Sequence, residues 1–264
     1  MAGTVNFSAS SGDCRSGNFN CEMSRMHVSI IIPVYNEVRT LPAIVHRVRA
    51  AALPPSCTRE IIVVDDGSSD GTAQLIEEYV SAGILIGYQA TSNRGKGSAI
   101  REGIRCATGD IILIQDGDLE YDPNDYIAMV TPIVRGEVDT VYGSRFLGTI
   151  AGMNWRNWLA NKILTFTANA LYAANITDEA TAYKAFRTEV LRRVDLKCQR
   201  FEFCPEVTAK LSRLGYKIRE VPIRYHARTP TQGKKVRTRD GFEAFWTLIK
   251  YRFVSRKNLT KTTF

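Results

Sequence analysis

Five short runs dominated by Ile and Val, at His27–Val34, Glu60–Val64, Ile84–Ala90, Asp110–Ile114 and Thr140–Tyr142, alternate with stretches that carry helical spacing or helix caps, at Thr40–Ala52, Asp70–Ala82, Gly97–Ala107 and Asn124–Arg135. Near-continuous branched apolar runs belong to strands covered on both faces, and their alternation with helices is the βαβ succession of a parallel sheet. The chain is therefore expected to be α/β, with a mostly parallel central sheet flanked by helices. Pro42 just after Thr40, and Asp70 ahead of Gly71-Thr72, mark two of the helix starts. With 264 residues, 44% hydrophobic and 23% charged, the composition excludes a collagen-like, coiled-coil or wholly disordered chain.

Beyond Asn154 the pattern changes. Trp155, Trp158, Leu159, Ile163, Phe166 and Ala170 fall on one stripe of a helix, and a second stripe, Phe242, Phe245, Trp246, Ile249 and Phe253, runs through Gly241–Phe253 with Lys250, Arg252, Arg256 and Lys257 at its flank. Between them lie a predicted helix at Cys204–Leu214 and a strand at Lys217–Pro222. No linker divides this region, so residues 27–253 read as one domain. Residues 1–26, rich in Ser, Gly and Asn, read as a disordered leader without secretory character, and 254–264 as a basic C-terminal tail. The longest uncharged runs, Tyr79–Asn93 and Ile163–Thr177, have 15 residues each, short of a bilayer-spanning helix. Six cysteines without Cys-x-x-Cys spacing favour reduced thiols and a cytoplasmic setting.

The net charge of +8 is unevenly spread. Residues 1–180 hold 14 basic and 20 acidic side chains, residues 181–264 hold 21 and 7. That asymmetry points to an anionic partner met by the C-terminal third, whether a phosphorylated ligand, an anionic membrane surface or nucleic acid. Nucleic acid is disfavoured, because no recognisable module and no interleaving of basic and aromatic residues on one element is present.

Ligands of open α/β sheets bind at the carboxyl ends of the strands. Four such ends are polar: Pro33-Val34-Tyr35-Asn36-Glu37, Asp65-Asp66-Gly67-Ser68, Asn93-Arg94-Gly95-Lys96-Gly97 and Asp116-Gly117-Asp118-Leu119-Glu120. On an extended segment Asp116, Asp118 and Glu120 would point the same way, and their hard oxygens suit Mg²⁺ or Mn²⁺ completed by waters and a diphosphate. Taken alone, the same run reads equally well as a solvated acidic turn.

Together these segments resemble the family 2 glycosyltransferases of the GT-A (Rossmann-like) fold, above all the branch of dolichyl-phosphate mannose synthases and related polyprenyl-phosphate sugar synthases. The carriers are VSIIIPVYNE, EIIVVDDGSSDGT, NRGKGSAIREGI, GDIILIQDGDLEYDP, YGSRF, TDEATAYKAFR and FEFCPEVTAKLSRLGYKIREVPIRYHAR, in order over about residues 27–253. The resemblance implies a nucleotide pocket lined by Pro33, Tyr35 and Glu37, with Asp65 on base or ribose, Asp66 and Gly67 shaping its turn, and Lys96 and Gly117 beside the donor. It implies Asp116 and Asp118 as metal ligands, with Glu120 where the mannose synthases commonly carry Gln. Ser144 and Arg145 would meet phosphate, as would Arg228 and the loop of Lys234 and Lys235.

A polyprenyl phosphate acceptor is already ionised at pH 7, its second pKa lying near ~6, so transfer to it needs no general base and is expected to invert the anomeric carbon. A sugar hydroxyl acceptor would need a base, for which Asp178 is the candidate, although it reads also as a helix cap or, as the resemblance favours, a ligand to the donor sugar; the resemblance of Thr181-Ala182-Tyr183-Lys184 to the branch's Thr-Gly-Tyr-Lys stretch favours the lipid. The expected donor is a nucleotide sugar of the GDP-mannose or UDP-glucose type. Reaching a lipid without a spanning helix calls for peripheral contact with the cytoplasmic face of a membrane, through the Phe242–Phe253 stripe and its basic flank, or for an integral-membrane partner. The Trp155–Phe166 stripe reads at least as readily as packing on the sheet.

Overall fold

In a computed structural model, residues 25–228 and 238–261 are described. The predicted leader up to residue 24, and Lys234 and Lys235, lie outside the described residues. Seven strands form one sheet: β1 (Met26–Val34), β2 (Cys57–Asp65), β3 (Ile86–Gln89), β4 (Ile111–Ile114), β5 (Thr140–Ala151), β6 (Lys184–Arg187) and β7 (Ile218–His226). Their spatial order is β3-β2-β1-β4-β6-β5-β7, and only β6 runs against its neighbours β4 and β5.

The helices α1 (Leu41–Ala50), α2 (Thr72–Ser81), α3 (Lys96–Cys106) and α4 (Tyr126–Val134) cross over between the early strands, followed by α5 (Trp155–Tyr172), α6 (Thr188–Arg193), α7 (Phe203–Leu214) and α8 (Thr238–Phe253). Side-chain alternation divides the core by face. In β1, Ile30 and Ile32 pack with Leu41, Ile44 and Met129 on one side, while Ile31 joins Ile100, Phe186 and Val207 on the other. Full burial of an Ile side chain stabilises by roughly 1.5–3 kcal/mol. A third cluster, with Leu164, Ala168, Leu248 and Leu259, joins α5, α7 and α8.

The structure departs from the sequence reading in β5, β6 and α6 and in the outward stripe of α5, while the α8 stripe faces outward as expected. Strand β6 and helix α6 occupy a stretch read only as a motif; four residues are too few to show a period, and the buried Lys184 masks the apolar signature of β6. Strand β5 continues past Tyr142 to Ala151, because its second half pairs again with β7 after a register shift between Ser144 and Thr149. Both amphipathic helices bury the face opposite to their aromatics: α5 packs through Leu164, Thr165 and Ala168, and Trp155, Trp158, Ile163 and Phe166 face outward. On α8, Ala244, Thr247, Leu248 and Tyr251 are buried, and Phe242, Trp246 and Phe253 are exposed. Far from trailing free, residues 254–261 pack through the buried Leu259, and Asp195 N–H donates to Leu259 O at 3.0 Å.

Candidate active site

The turns after β1 and β2 are built on each other. Asn36, in the left-handed region at φ 50°, donates its N–H to Ser68 Oγ at 2.8 Å and accepts from Ser69 N–H at 2.9 Å through Oδ1. Its neighbours Tyr35 and Glu37 are half-buried and buried. Asp65 is fully buried and accepts from Ser68 N–H at 3.1 Å, whereas Asp66 accepts from Arg94 N–H at 3.0 Å and Gly95 N–H at 2.6 Å. Burial raises the Asp66 carboxyl above its ordinary value despite those two donors. Gly67 has φ 76°, and a Cβ there would lie 2.7 Å from Ser92 carbonyl carbon, so no other residue fits this turn unstrained. Asp65 thus closes its own turn, and Asp66 joins the β2 turn to the residues that open α3.

Lys96 opens α3 and reaches across to Asp116, Nζ to Oδ1 at 2.5 Å. Burial works against the Lys96 cation, but Asp116 outweighs it and holds the amine above the usual lysine value. The acidic segment after β4 is a turn and not the expected extended run. Leu119 sits at φ 65°, a strained conformation for a branched side chain, and Asp118 Oδ1 accepts from Glu120 N–H at 3.1 Å. This kink sends the three carboxylates to different partners. Asp118 Oδ2 meets Arg228 Nη2 at 2.9 Å, while Glu120 accepts from Tyr225 Oη at 2.7 Å and from Arg228 N–H at 2.9 Å. Burial, with Asp116 and Glu120 alongside, pushes Asp118 up to about 7 against the opposing charges of Arg228 and Lys96. The turn thus sets three carboxylates, Asp116, Asp118 and Glu120, beside two cations, Lys96 and Arg228.

Among the described residues no three His, Cys, Asp or Glu side chains converge as a ready-made metal cage. Asp116 and Asp118 fit a hard divalent ion by donor type, while Glu120 is committed to Tyr225 and Arg228. Gly117 lies between, where a Cβ would press on Val34 Cγ1 at 2.8 Å.

Arg145 and Asp178 form a closed pair. Nε and Nη2 of Arg145 meet the two carboxylate oxygens at 2.7 and 2.6 Å, and Arg145 N–H adds a third bond at 3.0 Å. The fork expected to clamp a phosphate is therefore spent on Asp178. Asp178 in turn is fully buried, with both carboxylate oxygens engaged by Arg145. Ser144 is also buried, its Oγ 2.6 Å from Thr177 Oγ1 and accepting from Leu147 N–H at 3.2 Å.

Sequence reasoning missed the residues that hold this pair in place. Glu220 accepts from Thr177 N–H at 2.6 Å and Asp178 N–H at 2.9 Å; Tyr225 stacks under Arg145 with 5.1 Å from guanidinium carbon to ring centroid, and 5.3 Å from the Tyr121 ring. The alternation Val221, Ile223, Tyr225 carried the signal that the predicted strand runs past Pro222.

A helix-flanked, mostly parallel sheet with acidic and basic side chains gathered at its strand ends defines an α/β protein with a candidate ligand site at that edge, and comparison with known proteins narrows it. Residues 29–195 match Glycosyl transferase family 2. The chain belongs to that family. It is 29% identical over 221 residues to dodecaprenyl-phosphate galacturonate synthase of Rhizobium johnstonii (79% of this chain, 62% of that protein) and 31% identical over 192 residues to undecaprenyl-phosphate 4-deoxy-4-formamido-L-arabinose transferase of Aeromonas hydrophila (70% and 56%). It therefore spans less than two thirds of either relative. With undecaprenyl-phosphate mannosyltransferase of Micrococcus luteus it shares 32% identity over 224 residues, 79% of this chain and 87% of that one. Glucosyl-3-phosphoglycerate synthase from Mycobacterium tuberculosis, solved with Mn²⁺, uridine diphosphate and glucosyl-3-phosphoglycerate, superposes with a TM-score of 0.67 at 17% identity, over 87% of this chain and 81% of that one, and so shares the GT-A fold.

Proposed function

We propose that this chain transfers a sugar from a nucleotide-sugar donor to a polyprenyl phosphate, with inversion and with the help of Mg²⁺ or Mn²⁺. The observation that carries the reading is the carboxylate turn Asp116–Glu120 facing Lys96 and Arg228 at the strand ends. Kinship with three polyprenyl-phosphate enzymes supports the acceptor class. Asp116 and Asp118 would hold the divalent ion, which when bound supplies charge neutralisation to the leaving diphosphate.

The remaining work falls to the chain's own groups. Tyr35 and Glu37 line the nucleotide pocket beside the turn of Asp65, Asp66 and Gly67. Lys96 and Arg228 bring positive charge to the departing nucleoside diphosphate. Arg145, fixed by Asp178 and resting on Tyr225, is a rigid positive wall and not a free clamp. With Asp178 closed on Arg145, an acceptor that arrives ionised suits the site better than a hydroxyl that needs a base.

The test is an assay of the purified chain with Mn²⁺ or Mg²⁺, a short polyprenyl phosphate, and in turn GDP-mannose, UDP-glucose and UDP-N-acetylglucosamine. A chloroform-soluble labelled product, lost on addition of EDTA and restored by Mn²⁺, is expected. Absence of product with every donor would overturn the lipid acceptor, and EDTA-resistant turnover would overturn the metal.

For the membrane we propose peripheral contact through the outward aromatics of α5 and α8, an integral-membrane partner being the alternative anchor. Among the described residues no helix is long and apolar enough to cross a bilayer.

A further inference from the structure

Arg228 follows β7 by two residues and turns its guanidinium inward, leaving its side chain 14% exposed. Nη2 lies 2.9 Å from Asp118 Oδ2, Nη1 3.4 Å from Glu37 Oε1, and Nε 3.8 Å from Glu120 Oε1. Nε is buried and makes no hydrogen bond. The contrast with Arg145 is instructive, because a guanidinium fork is matched by one carboxylate taken edge-on. Arg145 has that match in Asp178. Arg228 instead spreads over three carboxylates from two different turns, matches none of them bidentately, and leaves one donor unspent. A cation held in this way is retained for its charge, not for its shape.

Resting on the metal-dependent reading above, we propose that Arg228 is a built-in counter-ion of the metal-binding turn. It competes with the divalent ion for Asp118 and is exchanged onto the donor diphosphate when metal and nucleotide bind together. Metal alone must displace the guanidinium from Asp118 and leave it with only its longer contacts to Glu37 and Glu120. Metal with a diphosphate supplies an anion in place of Asp118, so the two ligands strengthen each other, and by linkage each raises the affinity of the other by the same factor. The site thereby discriminates against idle occupation by free metal ion.

The experiment is a titration with Mn²⁺, followed by the electron paramagnetic resonance of free Mn²⁺, with and without UDP or GDP. Wild type is expected to bind Mn²⁺ weakly alone and more tightly with the diphosphate. Removing one positive charge beside the site in Arg228→Gln should tighten binding of Mn²⁺ alone by about tenfold and shrink the gain from diphosphate. Arg228→Lys, which keeps the charge, should stay close to wild type for Mn²⁺ alone. A merely structural Arg228 predicts the opposite sign, with Mn²⁺ binding unchanged or weaker in Arg228→Gln, and either result overturns the exchange. A tenfold tightening in Arg228→Lys overturns it as well, even where the Gln variant fails to fold. Wild type and both variants binding no Mn²⁺ under any condition would instead bring down the metal reading on which the proposal rests.

Discussion

Glu179, next to the Asp178 that locks Arg145, is the residue whose burial is least compensated. It is fully buried and neither carboxylate oxygen has a hydrogen-bond partner, while Lys184 gives its ammonium to Glu179 O at 3.0 Å and stacks on the Tyr142 ring at 3.3 Å. Burial raises Glu179 to about 7; Asp178 adds to the rise, and Lys184 and Arg145 oppose it. Below the unfolded carboxyl value of 4.5 both states are protonated and the group adds no pH dependence. Between 4.5 and about 7 the unfolded chain releases a proton that the folded chain keeps, so folding stability falls as pH rises and then levels off. Glu179→Gln removes this slope. The variant should be more stable than wild type at pH 8 by on the order of 1–3 kcal/mol and nearly level with it at pH 4.5. Denaturant unfolding at the two pH values checks this, and a difference independent of pH would mean that Glu179 is ionised in the fold.

Among the elements, those that repeat a local pattern were legible. The strands β1, β2 and β4 and the helices α1 to α4 lie within a few residues of their sequence positions, because Ile and Val runs and cap residues are short-range signals. What depends on distant partners was not. The antiparallel β6 is set by its neighbours β4 and β5, and the direction of the α5 stripe is set by what that helix meets, which no helical period encodes. In the site, Asp116, Asp118, Lys96 and Arg228 were legible as motif residues, but the kink at Leu119 and the closure of Asp178 on Arg145 depend on β7 and could not be read from spacing.

The start of α3 shows such a long-range constraint. Gly97 N–H donates to Arg200 O at 2.8 Å and Ser98 N–H to Gln199 O at 2.8 Å, so a loop a hundred residues away caps the helix that presents Lys96. A Cβ on Gly97 would stand 2.8 Å from Arg200 O, a backbone atom that cannot rotate aside. Gly97→Ala should therefore cost about 1–3 kcal/mol by overpacking, and by shifting Lys96 it should weaken binding of UDP or GDP. Calorimetric titration alongside unfolding measures both; stability lost without any change in nucleotide affinity would separate Lys96 from the donor.

At the scale of the whole molecule, charge and exposed aromatic surface divide between two regions. The acidic turns gather at the strand ends, while the basic C-terminal third carries α8, whose Phe253 is 82% and Phe242 73% exposed, beside α5 with Phe166 at 73%. The helices are held to each other by their buried sides, and Tyr172 Oη donates to Leu248 O. Exposed aromatics beside Lys250 and Arg252 match the interfacial layer of an anionic bilayer, where rings sit at headgroup depth and each cation near the surface adds about 1 kcal/mol. Vesicles of phosphatidylglycerol should therefore bind the protein and shift its Trp fluorescence to the blue, with weaker binding at high salt and on neutral phosphatidylcholine. Phe242→Ser with Trp246→Ser should lower vesicle binding by about tenfold or more, two large apolar side chains each contributing at least ~1.5 kcal/mol when fully buried, while transfer to a short, water-soluble prenyl phosphate persists because both side chains are exposed on α8 and the strand-end residues lie on other elements. Unchanged vesicle binding in the double variant would move the lipid-facing surface off α8, and the absence of binding in wild type would leave the integral-membrane partner as the means by which the site meets its lipid.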